Sequence, residues 1–217
     1  MKTKSFFSVA ILATLLFTAC GEEPNPNGNG DNNGNDTIPT KEGGAVINGI
    51  CWAKCNVGET GTFVSNPQDY GGYYQWNRKD TANFLLFNDY YASDFPSVTS
   101  WLTTNDPCPT GWRIPTSDEL KTLLDTEKVD TEWTTENGIN GKQFIDKTTD
   151  NIIFLPAAGL QNLNNGKLEW LGKSGDYWSG TQSDYNFDAY ALSFGPYNEI
   201  GGGNNKAWGQ PVRCVAE

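Results

Sequence analysis

Five cysteines carry the most definite chemistry in this 217-residue chain, at positions 20, 51, 55, 108 and 214. Cys51 and Cys55 are one residue too far apart for the Cys-x-x-Cys spacing of a dithiol redox site. The chain contains no histidine, so no Cys-His pair exists, and the commonest general base and metal ligand is missing. The spacing predicts a local Cys51–Cys55 disulfide if the chain bends there, because an extended strand carries the two Cα atoms farther apart than a bridge spans. Four thiolates around a structural zinc ion are the alternative. Catalysis would otherwise fall to carboxylates, Tyr, Lys or Cys. Asp118 and Glu119 stand where a helix cap needs acids, not as a paired-carboxylate site, and no nucleophile has a recognisable base beside it. The expectation is a protein that is not an enzyme, with no cofactor and no metal.

Recognition chemistry is concentrated between Gly175 and Trp208. Tyr, Trp and Asn interleaved with Gly make adaptable binding surfaces, with rigid aromatic area beside versatile hydrogen bonding. Aromatic faces with Asn and Asp also suit the alternating apolar and polar faces of sugars. Trp178, Ala189, Ala191, Leu192 and Phe194 read as core. The candidate ligand contacts are Tyr185, Asn186, Asp188 and Tyr190, then Tyr197, Asn198, Asn204, Asn205 and Trp208; for each, a turn residue or a solvated edge is the competing reading. Tyr70, Tyr73 and Tyr74 read as packing residues. The net charge of −11 argues against nucleic acid or an anionic membrane face as partner, since both require clustered Lys and Arg.

The N-terminus reads as an address. Lys2 and Lys4 precede the apolar run Phe6 to Phe17, which is too short for a permanent span and reads as a cleaved signal peptide over residues 1–19. Phe17-Thr18-Ala19-Cys20 looks like a bacterial lipobox, with Phe17 where Leu is usual and Cys20 as the acylated first residue of the mature chain. Stable anchoring takes more than one acyl chain, palmitate among them. Gly21-Glu22-Glu23 resembles the acidic tether of surface-displayed lipoproteins. Residues 20–44 are Asn, Gly, Pro, Asp and Glu with almost no apolar side chain, too little to offset chain entropy, and predict a flexible stalk of roughly 25–30 Å.

The elements that would position these residues begin at Ala45. Val46, Ile47, Ile50 and Trp52 have strand character. Thr116 and Glu119 make a capping box ahead of Leu120, Leu123 and Leu124, which predicts a helix from about Ser117 to Thr126. Trp133 to Gly141 reads as loop, Lys142–Ile145 and Ile152–Leu155 as strands, and Val212–Val215 as a half-buried alternating strand. Short strands with one or two helices and no βαβ rhythm give an α+β class.

Six blocks then fall in a specific order: Cys51-Trp52-Ala53-Lys54-Cys55-Asn56-Val57-Gly58, Tyr70-Gly71-Gly72-Tyr73-Tyr74-Gln75-Trp76, Cys108-Pro109-Thr110-Gly111-Trp112-Arg113-Ile114-Pro115-Thr116, Phe154-Leu155-Pro156-Ala157-Ala158-Gly159, Tyr177-Trp178-Ser179-Gly180-Thr181 and Val212-Arg213-Cys214-Val215. Together they resemble the Fibrobacter succinogenes major paralogous domain, found in lipoproteins of gut and oral bacteria, over residues 45–217. That family looks related to the C-type lectin fold. The resemblance implies a disulfide between Cys108 and Cys214 that ties the helical layer to the last strand, two buried thiols being the alternative. The sugar-and-calcium triplets of C-type lectins are absent, so it carries fold and not calcium-dependent lectin activity. The segment Gly175–Trp208 resembles the variable C-terminal part of retroelement-diversified C-type-lectin-fold proteins. Formylglycine-generating enzymes resemble the fold too, but depend on a C-terminal Cys pair where this chain has only Cys214. The functional expectation is an outer-membrane, cell-surface lipoprotein held by its lipid anchor and binding a glycan or protein ligand. A structural subunit of a surface complex or pilus tip is the alternative.

Overall fold

The computed structural model describes residues 40–81, 98–162, 164–195 and 198–217, and of 198–203 the backbone alone. The leader, Cys20, most of the stalk and Tyr197 lie outside the described residues. The chain opens with a hairpin, β1 (Gly44–Ile47) and β2 (Ile50–Ala53), turned by Asn48 and Gly49 at φ +45° and +80°. Two successive left-handed residues match the twist of flanking strands, which is why Asn-Gly serves here. Next come β3 (Trp112–Arg113), the helix α1 (Ser117–Thr122), β4 (Val129–Glu136), β5 (Ile139–Asp146) and β6 (Ile152–Pro156). Then follow β7 (Leu160–Gln161), β8 (Leu168–Glu169), β9 (Gly175–Gln182), β10 (Asp188–Phe194), β11 (Asn198–Asn205) and β12 (Val215–Ala216).

Among the described residues the strand ladders are antiparallel and form four sheets, ordered β1-β2-β12-β3, β11-β10-β9, β4-β5-β6 and β7-β8. Mostly antiparallel sheet with one short helix is compatible with the α+β class. The final strand lies between β2 and β3, so the two ends of the described domain share one sheet.

Alternation along β2 shows why that sheet is interior. Trp52 enters one apolar core with Ile47, Leu120, Phe144 and Tyr177, while Cys51 and Ala53 enter a second with Trp76, Trp112, Trp178 and Cys214. A strand with both faces covered loses the polar alternation of a half-exposed one. The half-buried reading of Val212–Val215 is corrected for that reason: all four residues are buried, Arg213 included, and only Val215 belongs to a strand.

Two further expectations change. Trp133–Gly141 is not a loop: it contains the end of β4, a turn at Asn137-Gly138 with φ +47° and +83°, and the start of β5. Both Asn-Gly residues supply the left-handed turn of a tight hairpin, and the Thr and Trp residues before it suit a pleated strand. The helix stops at Thr122, four residues early, because the chain tightens into i to i+3 bonds from Leu123 to Leu120 and Leu124 to Lys121. Its start is as expected, with the capping box of Thr116 and Glu119 fully made.

The Cys108–Cys214 disulfide is formed, with Cα atoms 6.1 Å apart and a sequence separation of 106. The Cys51–Cys55 bridge is not, since Cys51 is a buried free thiol. Its Sγ sits inside the hairpin, accepts the Lys41 N–H at 3.4 Å, and fills the space a Cβ on Gly44 would need, 2.7 Å away. Because β2 stays extended through Ala53, residues four apart begin roughly 13 Å from each other, about twice the reach of a bridge.

Candidate functional site

The core assignments within Gly175–Trp208 hold: Trp178, Ala189, Ala191, Leu192 and Phe194 are all buried. Tyr74 is buried too and donates to the Gly58 carbonyl at 2.7 Å; burial raises its phenol to about 12.

The candidate contacts do not form one surface. Tyr185, Asn186, Asp188, Tyr190 and Asn205 collect at the turn between β9 and β10, where Asp188 lies opposite Asn205 in the ladder. Tyr185 is 72% exposed, and Phe187 beside it 52%. Lys206 lies buried under this turn. Its Nζ donates to Gln182 Oε1 at 2.7 Å and the Asn186 carbonyl at 2.8 Å, and lies 4.3 Å from the Trp76 ring centroid. Burial lowers the Lys206 pKa while Asp188 opposes that shift; burial raises Asp188, with Lys206 opposing. Asn205 serves the fold, its side-chain oxygen accepting the Ala207 N–H at 2.9 Å. Tyr190 donates weakly to Asp184 at 3.4 Å. Asn198 pairs with Phe194 through the backbone, and its side chain lies outside the described part.

Asn204 and Trp208 go elsewhere, to a hollow of about 370 Å³ beside β7 and the Gly175 end of β9. Trp170, Lys173, Asp176, Ser193, Leu160 and Phe194 also line it. Asp176 is nearly buried; Ser193 Oγ donates to its Oδ1 at 2.7 Å and Ser174 Oγ to its Oδ2 at 3.1 Å. Asn204 Nδ2 is buried with no hydrogen-bond partner among the described residues. Trp208 is fixed by its neighbour, since Gly209 and Gln161 exchange both backbone hydrogen bonds.

Trp170, Lys173, Ser174, Asp176 and Ser193 were not among the contacts expected from sequence. The available signal was a second aromatic-and-turn stretch, Asn164-Asn165-Gly166 through Trp170-Leu171-Gly172, with the same chemistry as the one singled out. Trp170 is 61% exposed and holds φ +60°.

A larger hollow, about 780 Å³, runs along Trp101, Asp106 and Cys108 to Arg113. Two of its charged groups, Arg113 and Asp106, are committed internally. Arg113 makes a two-pronged contact with Glu119 at 2.8 and 2.5 Å, and Asp106 accepts the N–H groups of Cys108 and Ile114 at 2.9 and 3.0 Å. Burial raises the Asp106 carboxyl, against those bonds.

Among the described residues, no group of three or more His, Cys, Asp or Glu stands together to hold a metal, and no helix is long and apolar enough to cross a membrane. Fold and site thus define a disulfide-bonded, mainly antiparallel β domain with a mixed aromatic and polar surface hollow. Compared with known proteins, the chain matches no family model, no curated protein and no solved structure.

Proposed function

We propose that this chain is an outer-membrane lipoprotein, acylated at Cys20, whose C-type-lectin-like domain over residues 45–217 binds an extracellular glycan or protein and performs no catalysis. The observation that carries the reading is the hollow where Trp170 and Trp208 accompany Asp176 and Asn204. Small-ligand sites are concave and combine apolar or aromatic surface with a few convergent polar groups, and this hollow sets Trp170 and Trp208 beside Asp176, Ser193 and Asn204. The lipobox-like leader and the Asn/Gly/Pro stalk support display at a surface, and the disulfide between Cys108 and Cys214 suits an oxidising location.

The test is a glycan-array and host-protein-array screen of the full chain, with and without calcium. A specific hit weakened by Trp208→Ala, with the fold retained by circular dichroism, supports the reading. A folded protein that binds nothing on either array overturns it.

A structural subunit is the second reading, and the exposed pair Tyr185 and Phe187 favours it. Exposed aromatics at a hairpin tip suit insertion into a partner protein. Loss of co-purifying outer-membrane proteins on Tyr185→Ala/Phe187→Ala, with array binding absent, would select that reading.

A further inference from the structure

We infer that the hollow beside Trp170 and Trp208 accepts one neutral pyranose ring of a glycan, without calcium; this rests on the binding reading above. Size comes first. About 370 Å³ lies near the small end of ligand pockets, which run roughly 300–1,000 Å³, so it suits a single ring and not a peptide segment.

Polar chemistry comes second. An ionised carboxylate only accepts hydrogen bonds, a carboxamide nitrogen only donates, and a sugar hydroxyl does both. Asp176, oriented by the hydroxyls of Ser174 and Ser193, supplies the acceptor. Asn204 lines the hollow, and its Nδ2, buried and without a partner among the described residues, supplies the donor once the side chain turns towards the ligand. A buried amide N–H left unmade is costly, and an incoming hydroxyl relieves it. Neighbouring hydroxyls on one ring fit that pair. Charged ligands fit less well, because Lys173 and Asp176 both line the hollow: a cation meets the ammonium, an anion the carboxylate.

Third is the presentation of Trp170. Its φ of +60° is an outlier for so bulky a side chain, and with 61% of the residue exposed, full burial does not account for it. The surrounding backbone enforces it. The Trp170 carbonyl accepts the N–H groups of Lys173 and Ser174 at 2.8 and 3.0 Å, and Gly159 packs so closely that a Cβ there would lie 2.0 Å from the Glu169 carbonyl oxygen. Strain held by over-determined surroundings marks functional positions. An exposed indole offers the flat apolar surface on which the C–H face of a pyranose stacks.

The experiment is a calorimetric titration of the full chain in EDTA with the methyl glycosides of glucose, galactose, mannose and N-acetylglucosamine, with choline as the cationic control. Expected is saturable binding of at least one glycoside, about tenfold weaker in Trp170→Ala, similarly weakened in the near-isosteric Asn204→Asp, and unchanged in Tyr185→Ala. Near-ultraviolet circular dichroism checks that each variant is folded. Saturation by choline alone, no saturation by any glycoside, or sugar affinity untouched in both Trp170→Ala and Asn204→Asp overturns the inference. An array hit on a host protein that depends on Tyr185 would leave the binding function standing while removing this site for it.

Discussion

Arg213 Nε donates to Asn56 Oδ1 at 2.8 Å, joining residues 157 apart in sequence. The Arg213 Nη atoms reach the carbonyls of Ala53, Lys54 and Phe154 at 3.0, 2.7 and 3.0 Å. Asn56 Nδ2 also donates to the Tyr177 hydroxyl at 3.1 Å, and that hydroxyl donates to the Pro156 carbonyl at 2.8 Å. Burial lowers the Arg213 pKa to about 10, which leaves the guanidinium charged at neutral pH, held by backbone dipoles and an amide. The cluster ties the end of β2 to β6, β9 and the approach to β12, between the two apolar cores.

Removing that guanidinium strands acceptors that no apolar side chain can replace, since three of them are backbone. Arg213→Met is expected to lose roughly 3–5 kcal/mol of stability, and Asn56→Ala about 1–3 kcal/mol for the donor it leaves unpaired. Urea unfolding of both single variants and the double variant measures this. Losses that simply add would show that the two side chains do not act as a unit.

Gly159 and Trp170 separate folding from binding. Gly159 has φ +59°, and an added Cβ has no room against the Glu169 carbonyl. Gly159→Ala should therefore cost upwards of about 2 kcal/mol, beyond the backbone penalty alone. Trp170→Gly relieves a left-handed strain of order 1–3 kcal/mol while loosening the unfolded chain, so stability should change by less than about 1 kcal/mol as binding falls. Thermal melts beside titrations read both. A Trp170→Gly variant several kcal/mol less stable would mean that the indole belongs to the fold.

What was legible in the sequence was local chemistry. Thr116 and Glu119 announce the helix start because a capping box is made by near neighbours. The core residues Trp178, Ala189, Ala191, Leu192 and Phe194 are legible because they are the apolar members of a run otherwise rich in polar and turn residues. Strand β4 was hidden by Asn137-Gly138, whose turn chemistry reads equally as loop until its partner strand is known. Burial of Arg213 was hidden because its partners are backbone carbonyls brought from residues 53, 54 and 154. The hollow was half legible for the same reason. Asn204 and Trp208 lay in the aromatic run already singled out, whereas Trp170 lies outside that run and reaches the hollow only through β7 and β8.

Glu119 gives a pH-dependent test. Burial alone would raise its carboxyl, but hydrogen bonds from Arg113 and Thr116 hold it below the usual carboxylate range. A folded pKa below the unfolded value of about 4.3 means the stabilisation is complete above that value and is lost as pH falls through the folded one. Glu119→Gln should cost about 1–2 kcal/mol at pH 7, the same at pH 5, and progressively less below about pH 4. Urea midpoints across that range decide it. A gap that persists undiminished at pH 3 would mean that the carboxylate charge contributes nothing.

The cysteines can be sorted by one labelling series. Cys108–Cys214 closes a loop of about a hundred residues, so Cys108→Ser should lower stability by up to roughly 4–5 kcal/mol in the chain-entropy model. Cys51 behaves differently, because it is buried and its Sγ is packed against Gly44 and the Lys41 N–H. An alkylating reagent should leave Cys51 unmodified in the native protein and label it once the chain is unfolded without reductant, with peptide mass spectrometry locating the tag. Cys108 and Cys214 should take label only after reduction. Failure of Cys51 to react in the unfolded, unreduced chain would mean that it is bridged in solution, and would restore the local Cys51–Cys55 disulfide that its spacing predicts.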